Sequence, residues 1–520
     1  MPRTPLTRVL ATITRQLAAE AQDPGAPTPR VPTRRQVLRG AGVLALGAGG
    51  LASAAPATAA PPVASGPRIV VVGAGLAGLS AAYQLRQAGY GSTVIEAADR
   101  VGGRCWSITG YFDEGQVAEH GGELIDQGHT AVRQLAQTLG LTLDNLLSAE
   151  ASGTEPIYWF DGAPYTYAEA TSDIRAIWQQ LHADVSAAGY PTLYTSYTAR
   201  GLELDRMSIS DWIAAYVPGG AASRLGQLLD VAYTIEYGAQ CSVQSSLNML
   251  YLLAFSGQGQ LRIFGPSNEK YHVRGGNEQI ASGLAALLPQ QIQLGTALTA
   301  LVSNADGTWT LVTRSGATTT SRVADHVVLA LPFSLLRRVD LTKARLPKLK
   351  TTAIDQLALG TSSKLALQFT DRHWRSLGGN GDTYADTGYQ STWEVTRAQP
   401  GKSGVLVDFT GGTIGASFTG ATPQTFARRF LGQIEPLYPG LTARWNGKVT
   451  LDAWSTYPWA LGSYSYWRVG QYTGFSGVEG EAVGTCHFAG EHTSQDFQGY
   501  LNGAVETGYR AAAEIVAAVK

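Results

Sequence analysis

Hydrophobic residues follow their most regular pattern between residues 68 and 96. A run of four β-branched residues at positions 69–72 predicts a strand that is buried on both faces. An Ala- and Leu-rich stretch of helical character continues to Gly89, and a second apolar run follows at positions 93–95. The order strand, helix, strand predicts a βαβ unit.

Three glycines at G-x-G-x-x-G spacing separate the first strand from the helix. The segment consists of Gly73, Ala74, Gly75, Leu76, Ala77 and Gly78. The first glycine permits a tight turn, the second lets a pyrophosphate approach the backbone, and the third lets the helix pack closely on the strand. The helix N-terminus then faces the phosphates, and Glu96 is placed to accept a hydrogen bond from a ribose hydroxyl. The segment predicts dinucleotide binding, and the alternative is a plain glycine-rich turn.

A second glycine pair, at positions 102 and 103, is followed by Arg104. Free backbone amides and a guanidinium can hold the same pyrophosphate, and nicotinamide enzymes do not need this second loop. Here the chain resembles the flavin-containing amine oxidases, which include monoamine, polyamine and L-amino-acid oxidases. The resemblance covers nearly everything from Arg68 to the C-terminus, and it implies FAD as the cofactor.

The length of the chain predicts two lobes, because 520 residues exceed the usual size of one domain. The resemblance implies an α/β fold: a discontinuous flavoprotein with a Rossmann-type FAD-binding domain and an α+β substrate domain of helices and mixed sheet. The FAD-binding domain would comprise residues 67–130, 263–350 and 451–520. The substrate domain would comprise residues 131–262, whose pattern is mostly helical from about Thr130 to Phe264, and residues 351–450.

The pattern of residues 1–66 predicts a signal and a leader. Arg34 and Arg35 form a twin-arginine pattern before a mildly apolar stretch at positions 41–55 and small residues suited to cleavage. That stretch is too short and too weak for a membrane span. We therefore expect export through the twin-arginine machinery, removal of the signal, and a secreted or periplasmic location. A solvated basic turn before a helix is the alternative.

Composition argues against several other classes of protein. The net charge of −1 and the absence of a basic run with interleaved aromatics give no sign of a nucleic-acid partner. Cys105, Cys241 and Cys486 are too widely spaced for a disulfide framework or a metal clip, and the eight histidines show no ligand spacing. No metal is expected, and a homodimer is left open.

Several further positions are assigned to the cofactor by the resemblance. The segment from His487 to His492 has the pattern of a strand running into a turn, and a glycine-punctuated helix follows it. The residues assigned in this way are Gly121, Gly122, Val302, Trp454, Gly490 and Glu491. Val302 would contact the adenine through its backbone, and Trp454 would pack against the flavin. The alternatives are an edge-strand role for Val302, core burial for Trp454 and helix capping for Glu491.

The resemblance also implies the catalytic residues. Tyr464 and Tyr500 would form the two walls of an aromatic cage that holds an amine against flavin N5. Ser463 stands where mammalian monoamine oxidases have the cysteine that bonds to the flavin, which implies non-covalent FAD. Lys364, a lysine in an otherwise apolar strand, would hold a water near N5 and stabilise negative charge on oxygen during reoxidation.

The resemblance implies an amine substrate, whose class is less closely defined. Polyamine oxidases have an acid at the position of Asp126, placed to pair with a distal ammonium, and Glu123 lies in the same loop. Leu124 stands where snake-venom L-amino-acid oxidases have a carboxylate-binding arginine. Both acids are equally compatible with a solvated loop.

The expected reaction converts an amine to an imine, which hydrolyses to an aldehyde and ammonia or a smaller amine, while O2 becomes H2O2. An L-amino-acid or cyclic secondary amine (alkaloid) oxidase is one alternative. A flavin-binding protein without turnover is another.

Overall fold

The computed structural model describes residues 66–519. The predicted signal and leader, residues 1–66, therefore lie outside the described residues except for Gly66. Within the described range, no helix combines the length and the apolar character needed to cross a membrane.

The strands are short and lie throughout the described chain. In chain order they are β1 (Ile69–Val72), β2 (Thr93–Ile95), β3 (Ser107–Ile108), β4 (Ala118–Glu119), β5 (Leu143–Asn145), β6 (Glu155–Phe160), β7 (Ala163–Tyr165), β8 (Tyr271–Val273), β9 (Ile292–Gln293), β10 (Ala297–Ser303), β11 (Trp309–Ser315), β12 (Thr318–Ala324), β13 (His326–Leu329), β14 (Ala358–Leu359), β15 (Ser363–Phe369), β16 (Gly379–Ala385), β17 (Ser391–Glu394), β18 (Gly404–Thr410), β19 (Trp445–Ala453), β20 (Ser465–Tyr466) and β21 (Cys486–Phe488).

The helices range from single turns to long amphipathic elements. In chain order they are α1 (Leu76–Gln87), α2 (Thr130–Thr138), α3 (Tyr167–Ala188), α4 (Ala199–Asp205), α5 (Ile209–Tyr216), α6 (Arg224–Tyr237), α7 (Ser246–Leu253), α8 (Glu278–Ala286), α9 (Phe333–Leu336), α10 (Lys348–Gln356), α11 (His373–Ser376), α12 (Gly412–Ala416), α13 (Pro423–Ile434), α14 (Gln471–Phe475) and α15 (Leu501–Val519).

A five-stranded parallel sheet, in the order β21-β13-β1-β2-β9, contains the predicted βαβ unit. Side chains of β1 alternate between two cores, as the pleat of a strand requires. Val71 packs with helices α1 and α15 on one face, and Val72 packs with the three-stranded sheet β10-β11-β12 on the other. A strand covered on both faces explains the uninterrupted apolar run at positions 69–72.

A seven-stranded mixed sheet, in the order β19-β15-β18-β17-β16-β6-β7, forms the second large layer. Its pairings are antiparallel except for β16 with β6. Leu365 and Leu367 of β15 pack against helix α13, whereas Ala366 packs in a separate core on the opposite face. Because side chains alternate along a strand, Lys364 lies on the same face as Ala366, away from α13.

The prediction of a mostly helical segment from Thr130 to Phe264 is wrong for residues 155–165. Strands β6 and β7 lie there, and β6 pairs in parallel with β16, which is more than 200 residues away in sequence. Aromatic and β-branched residues at positions 157–160 favour an extended chain that packs on a sheet. The helices α3 to α7 follow, and the described residues, 66–519, belong to one compact unit. The predicted boundaries between the two lobes therefore stay predictions.

Candidate active site

One deep cavity lies between the parallel sheet and the mixed sheet and encloses about 1790 Å³ of empty space, its mouth included. It runs from the glycine turn after β1 to the two predicted cage tyrosines. The predicted residues that line it are Gly73, Gly75, Leu76, Ala77, Glu96, Arg104, Gly121, Gly122, Glu123, Lys364, Trp454, Tyr464, Gly490, Glu491 and Tyr500. Segments far apart in sequence thus meet at one site.

Four predicted residues are not among those that line this cavity: Ala74, Gly78, Asp126 and Val302. The amide of Ala74 donates to the Glu96 carboxylate, and Gly78 packs against the strand behind the turn. Val302 lies in β10, opposite Thr310 of β11, so its adenine contact stays a prediction.

The glycine turn has the geometry that its spacing predicts. Gly73 has a φ of +103°, and a Cβ there would lie 2.7 Å from the carbonyl oxygen of Ala330. A Cβ on Gly78 would lie 1.9 Å from the carbonyl oxygen of Gly73, so helix and turn are in backbone contact. At Gly75, by contrast, no atom lies within 4 Å of such a Cβ. The turn therefore leaves open space at the N-terminus of α1, where an anionic group is favoured.

Glu96 lies at the end of β2, beside this turn. Its carboxylate accepts hydrogen bonds from the amides of Ala74 (2.7 Å) and Ala98 (2.8 Å). Burial raises the pKa of Glu96, although the two amides oppose this effect. These bonds fix the carboxylate at the cavity wall, where a ribose hydroxyl could reach it.

Arg104 and Glu491 form an ion pair across the cavity wall. The Arg104 Nη1 atom donates to Glu491 Oε1 at 2.8 Å and to the Ser463 carbonyl at 2.7 Å. The other carboxylate oxygen of Glu491 accepts from Ser465 Oγ and from the amide of Gly499. Burial raises the pKa of Glu491, but the Arg104 charge and these donors outweigh it, and the net pKa lies below its ordinary value.

His492 is a cavity residue that the sequence reasoning missed. It is buried, and neither ring nitrogen has a hydrogen-bond partner in the part of the chain described. Burial lowers its pKa to about 4, so the ring is neutral. The sequence did contain one indication of this role: His492 directly follows Glu491 in a segment that was already assigned to the cofactor. Unpartnered buried nitrogens in the cavity that the open glycine turn also lines fit a polar ligand.

The two predicted cage tyrosines both line the cavity, and helix α6 holds their hydroxyls. The Tyr464 hydroxyl donates to the carbonyl of Ile235 at 2.9 Å, and the Tyr500 hydroxyl donates to Glu236 Oε1 at 2.9 Å. Both acceptors lie in the last turn of α6, which therefore fixes both rings. Glu236 itself lines the cavity and was not predicted, because nothing in its local sequence distinguishes it from a helix-surface acid.

Lys364 is 6% exposed and forms a buried ion pair with Glu123, with 2.8 Å between Nζ and Oε2. It also donates to the carbonyl of Gly121, and Trp393 donates to the second oxygen of Glu123. Burial raises the pKa of Glu123, but Lys364 and Trp393 outweigh burial, so the net pKa is lowered. Two residues predicted for separate roles therefore act as one charged pair.

The loop at residues 120–122 packs closely beside the cavity. A Cβ on Gly121 would lie 2.0 Å from the Arg104 carbonyl, and one on Gly122 would lie 2.6 Å from Leu501 Cδ2. Trp454 is buried and donates its indole N–H to the carbonyl of His120 at 2.9 Å. Both glycines are thus required by close packing beside the cavity.

Asp126 is buried but does not line the cavity, and its carboxylate is hydrogen-bonded to other residues of the protein. Its Oδ1 accepts from Ser267 Oγ and from the amides of Asn268 and Glu269, at 2.7 to 2.9 Å. Its Oδ2 lies 3.2 Å from His129 Nε2. This geometry favours a role in holding the loop at residues 267–269 over direct contact with a substrate.

Comparisons with known proteins agree with this geometry. The chain matches the family model of flavin containing amine oxidoreductases over residues 76–516. It is 25% identical over 476 residues to a flavin-containing amine oxidase of Danio rerio, covering 87% of this chain and 86% of the relative. It is 26% identical over 454 residues to a nicotine dehydrogenase of Pseudomonas putida, covering 86% and 88%. The solved structure of a cyclohexylamine oxidase from Brevibacterium oxydans matches with a TM-score of 0.75 at 21% identity, covering 87% of this chain and 99% of that one.

The structural likeness confirms the predicted α/β fold class. The matched range contains Lys364, Tyr464 and Tyr500, and it includes most of the described chain. The protein therefore belongs to the flavin-containing amine oxidoreductases, and it oxidises amines with FAD as its cofactor.

Proposed function

We propose that this enzyme is an oxidase that transfers two electrons from an amine to O2 and forms H2O2. The amine becomes an imine, and water then releases an aldehyde and ammonia or a smaller amine. The observation that carries this proposal is the position of Lys364, a buried cation at the wall of the cavity that Tyr464 and Tyr500 also line. A fixed positive charge stabilises negative charge that develops on oxygen.

FAD, when bound, supplies the hydride acceptor for this reaction. The glycine turn and Arg104 would hold its pyrophosphate, and Glu96 would hold a ribose hydroxyl. The residues around the cage act on the amine. Their aromatic faces attract the cationic form on approach, and the enclosed cavity favours loss of its proton before oxidation.

We further propose that FAD is held without a covalent bond. Ser463 lines the cavity, and its hydroxyl donates to Ser362 Oγ at 3.0 Å. A serine cannot form a thioether. Cys105 also lines the cavity, but burial raises the pKa of its thiol well above the ordinary value, which disfavours the reactive thiolate.

We also propose that the protein is exported by the twin-arginine route. Arg34 and Arg35 and the small-residue stretch after them support this route. A protein that crosses the membrane already folded could load FAD first. Fractionation of cells that express the full chain tests this point, since a lysine pair at positions 34 and 35 should retain the enzyme in the cytoplasm.

The main alternative is a dehydrogenase that passes electrons to another acceptor, and the Pseudomonas putida relative has such a name. The specific observation in its favour is the Glu123 carboxylate, which offsets the charge of Lys364. An L-amino-acid oxidase is the second alternative, although Leu124 lines the cavity where that subclass would have an arginine.

An amine panel tests the proposal in two stages. Anaerobic mixing should bleach the flavin for at least one amine, and admission of air should restore its colour with one H2O2 formed per amine oxidised. Bleaching without rapid recovery in air would identify a dehydrogenase. No bleaching with any amine or amino acid would overturn the proposed function.

A further inference from the structure

A second, small cavity lies between the seven-stranded sheet and helix α13. It encloses about 260 Å³ of empty space, its mouth included, and its enclosed part leaves room for about one particle of the size of a water molecule. Asp408 and Thr410 of β18 line it from the sheet, and Phe426, Arg429 and Gln433 line it from the helix. We call it the α13 cavity.

The alternation of side chains along β18 separates this cavity from the active site. Phe409 lines the main cavity, whereas Asp408 and Thr410 line the α13 cavity. Leu406, on the same face of the strand as Asp408, packs in the core that contains Phe430 of α13. The side chains of Asp408 and Thr410 therefore point away from the residues assigned to FAD and the amine.

Two polar side chains that line the α13 cavity lack hydrogen-bond partners. Asp408 is 2% exposed, and Thr410 is completely buried. Within residues 66–519, neither Asp408 Oδ1 nor Thr410 Oγ1 has a hydrogen-bond partner. Burial of such atoms is costly unless a ligand or a water completes them. Because both oxygens line one small cavity, they indicate a site for a ligand that oxygen atoms bind.

No neighbouring cation in the described part of the chain pairs with Asp408. The residues opposite it in the sheet are Leu365 and Thr392, and Thr392 already donates to the carbonyl of Gly381. Arg429 acts on Asp408 through its charge but without a hydrogen bond, and Arg429 is exposed. An ionised Asp408 is therefore buried without a partner that offsets its desolvation.

The chemistry of the lining atoms favours a small cation of single charge. Carboxylate and hydroxyl oxygens bind hard cations, and they accept hydrogen bonds from ammonium. A water molecule fits the space but leaves the charge of the carboxylate uncompensated. One carboxylate balances one positive charge, and within the described residues no group of three His, Cys, Asp or Glu side chains is placed to hold a metal ion. These observations argue against a divalent metal.

We propose that the α13 cavity binds one small monovalent cation, K⁺ or ammonium, between the oxygens of Asp408 and Thr410. The two ions have the same charge and nearly the same size, so the cavity offers both the same chemistry. The bound ion balances the charge of Asp408 where helix α13 packs on the sheet. It does so behind Phe409, on the face of β18 that does not contact the main cavity.

Cation binding at this site competes with protonation of Asp408. Burial raises the pKa of Asp408 to about 8, although the charge of Arg429 opposes this effect. Tyr389 also lies within the influence of Asp408, but it shares a hydrogen bond with Thr383 and burial raises the pKa of its hydroxyl well above the ordinary value, so it stays neutral. Because a cation binds the ionised carboxylate, the effect of K⁺ should grow between about pH 7 and about pH 9.

The test is the Tm of the holoenzyme in the chloride salts of K⁺, ammonium and choline at equal ionic strength. A cation at about ten times its dissociation constant should raise the Tm by about 2 °C or more relative to choline. Asp408→Asn should remove this shift, and Thr410→Val should reduce it. Thr450→Val is the matched control and should keep the full shift. The Thr450 hydroxyl is also buried without a partner among the described residues and lies in the same sheet, but Thr450 does not line the α13 cavity.

The variants decide whether the ion binds at this cavity. A shift with K⁺ alone, with ammonium alone or with both identifies the ion, and its loss in Asp408→Asn supports the site. Equal Tm values in the three salts at both pH values would show a water or a neutral acid at the site and overturn the proposal. A shift that persists in Asp408→Asn would also overturn it, because the ion would then bind elsewhere, for example in the main cavity. If Asp408→Asn does not fold, Thr410→Val decides in its place, and a full shift in that variant overturns the proposal. A K⁺ shift that does not grow with pH would contradict the Asp408 carboxylate as the ligand.

Discussion

Replacement of Lys364 by methionine tests the central charge of the site. The substitution keeps an unbranched side chain but leaves the Glu123 carboxylate buried without its cation. Two unit charges 2.8 Å apart interact by about 6 kcal/mol at an effective dielectric constant of about 20, and desolvation offsets part of this energy. Loss of one partner from such a pair should lower the free energy of unfolding by about 3–5 kcal/mol.

Lys364→Met should slow the reaction with O2 by less than the loss of an unpaired cation would. A single electrostatic donor at a reacting centre contributes about 2–4 kcal/mol. Because Glu123 at 2.8 Å already offsets the Lys364 charge, we expect the lower end of this range. Reoxidation of reduced enzyme by O2 should therefore slow by about 30-fold in Lys364→Met, as measured by stopped-flow absorbance. Substrate binding to the reduced enzyme should change much less.

Two further variants separate the effect of the Lys364 charge on reoxidation from its effect on folding stability. Glu123→Gln leaves Lys364 without its neutralising carboxylate, so reoxidation should become faster than in wild type. The double variant should regain much of the stability lost in Lys364→Met, because it contains no unpaired buried charge, but its reoxidation should remain slow. Reoxidation of Lys364→Met at the wild-type rate would refute the reasoning and remove Lys364 from the oxygen reaction.

Two other predictions concern how the cofactor is held. Acid or heat denaturation should release the flavin into solution, because Ser463 cannot form a thioether, and flavin that precipitates with the polypeptide would contradict this. Arg104→Ala should raise the dissociation constant of FAD, measured by equilibrium dialysis, by about ten-fold or more. The reason is that a charge-assisted hydrogen bond contributes about 1.5–3 kcal/mol. An unchanged affinity would place Arg104 away from the phosphates.

The cofactor end of the site could be predicted because its signals are local. The close contact of Gly78 with Gly73 joins residues a few positions apart, and the glycine spacing indicates it directly, whereas the contact of Gly73 with Ala330 comes from a distant part of the chain. The end of β2 at Glu96 follows from the same βαβ pattern. The strand at residues 155–160 was missed because its pairing partner, β16, is far away in sequence and a nearby helical periodicity dominated the segment.

The substrate end could be predicted only in part. Tyr464, Tyr500 and Lys364, which line the cavity, were predicted through a resemblance to short motifs, not from their surroundings. Glu236, Trp393 and His492 were missed, since each is an ordinary residue in its own element and gains a role only from the residues that it faces in the fold. Burial of a polar atom without a partner is a tertiary property, and no local pattern encodes it.

The loop at residues 119–126 explains why the parts of this site depend on one another. Its Gly121 carbonyl accepts from Lys364, and Glu123 pairs with the same lysine. Three residues further on, Asp126 holds the loop at residues 267–269 through three hydrogen bonds to its Oδ1 atom. Because one short loop contacts Lys364 at one end and the loop at residues 267–269 at the other, a backbone shift at either end would reach both contacts. Glu123→Gln changes the Lys364 pair directly, whereas Asp126→Asn can change reoxidation by O2 only by moving the loop. A changed reoxidation rate in Asp126→Asn would therefore show that the loop moves as a unit, and an unchanged rate would show that its two ends are independent.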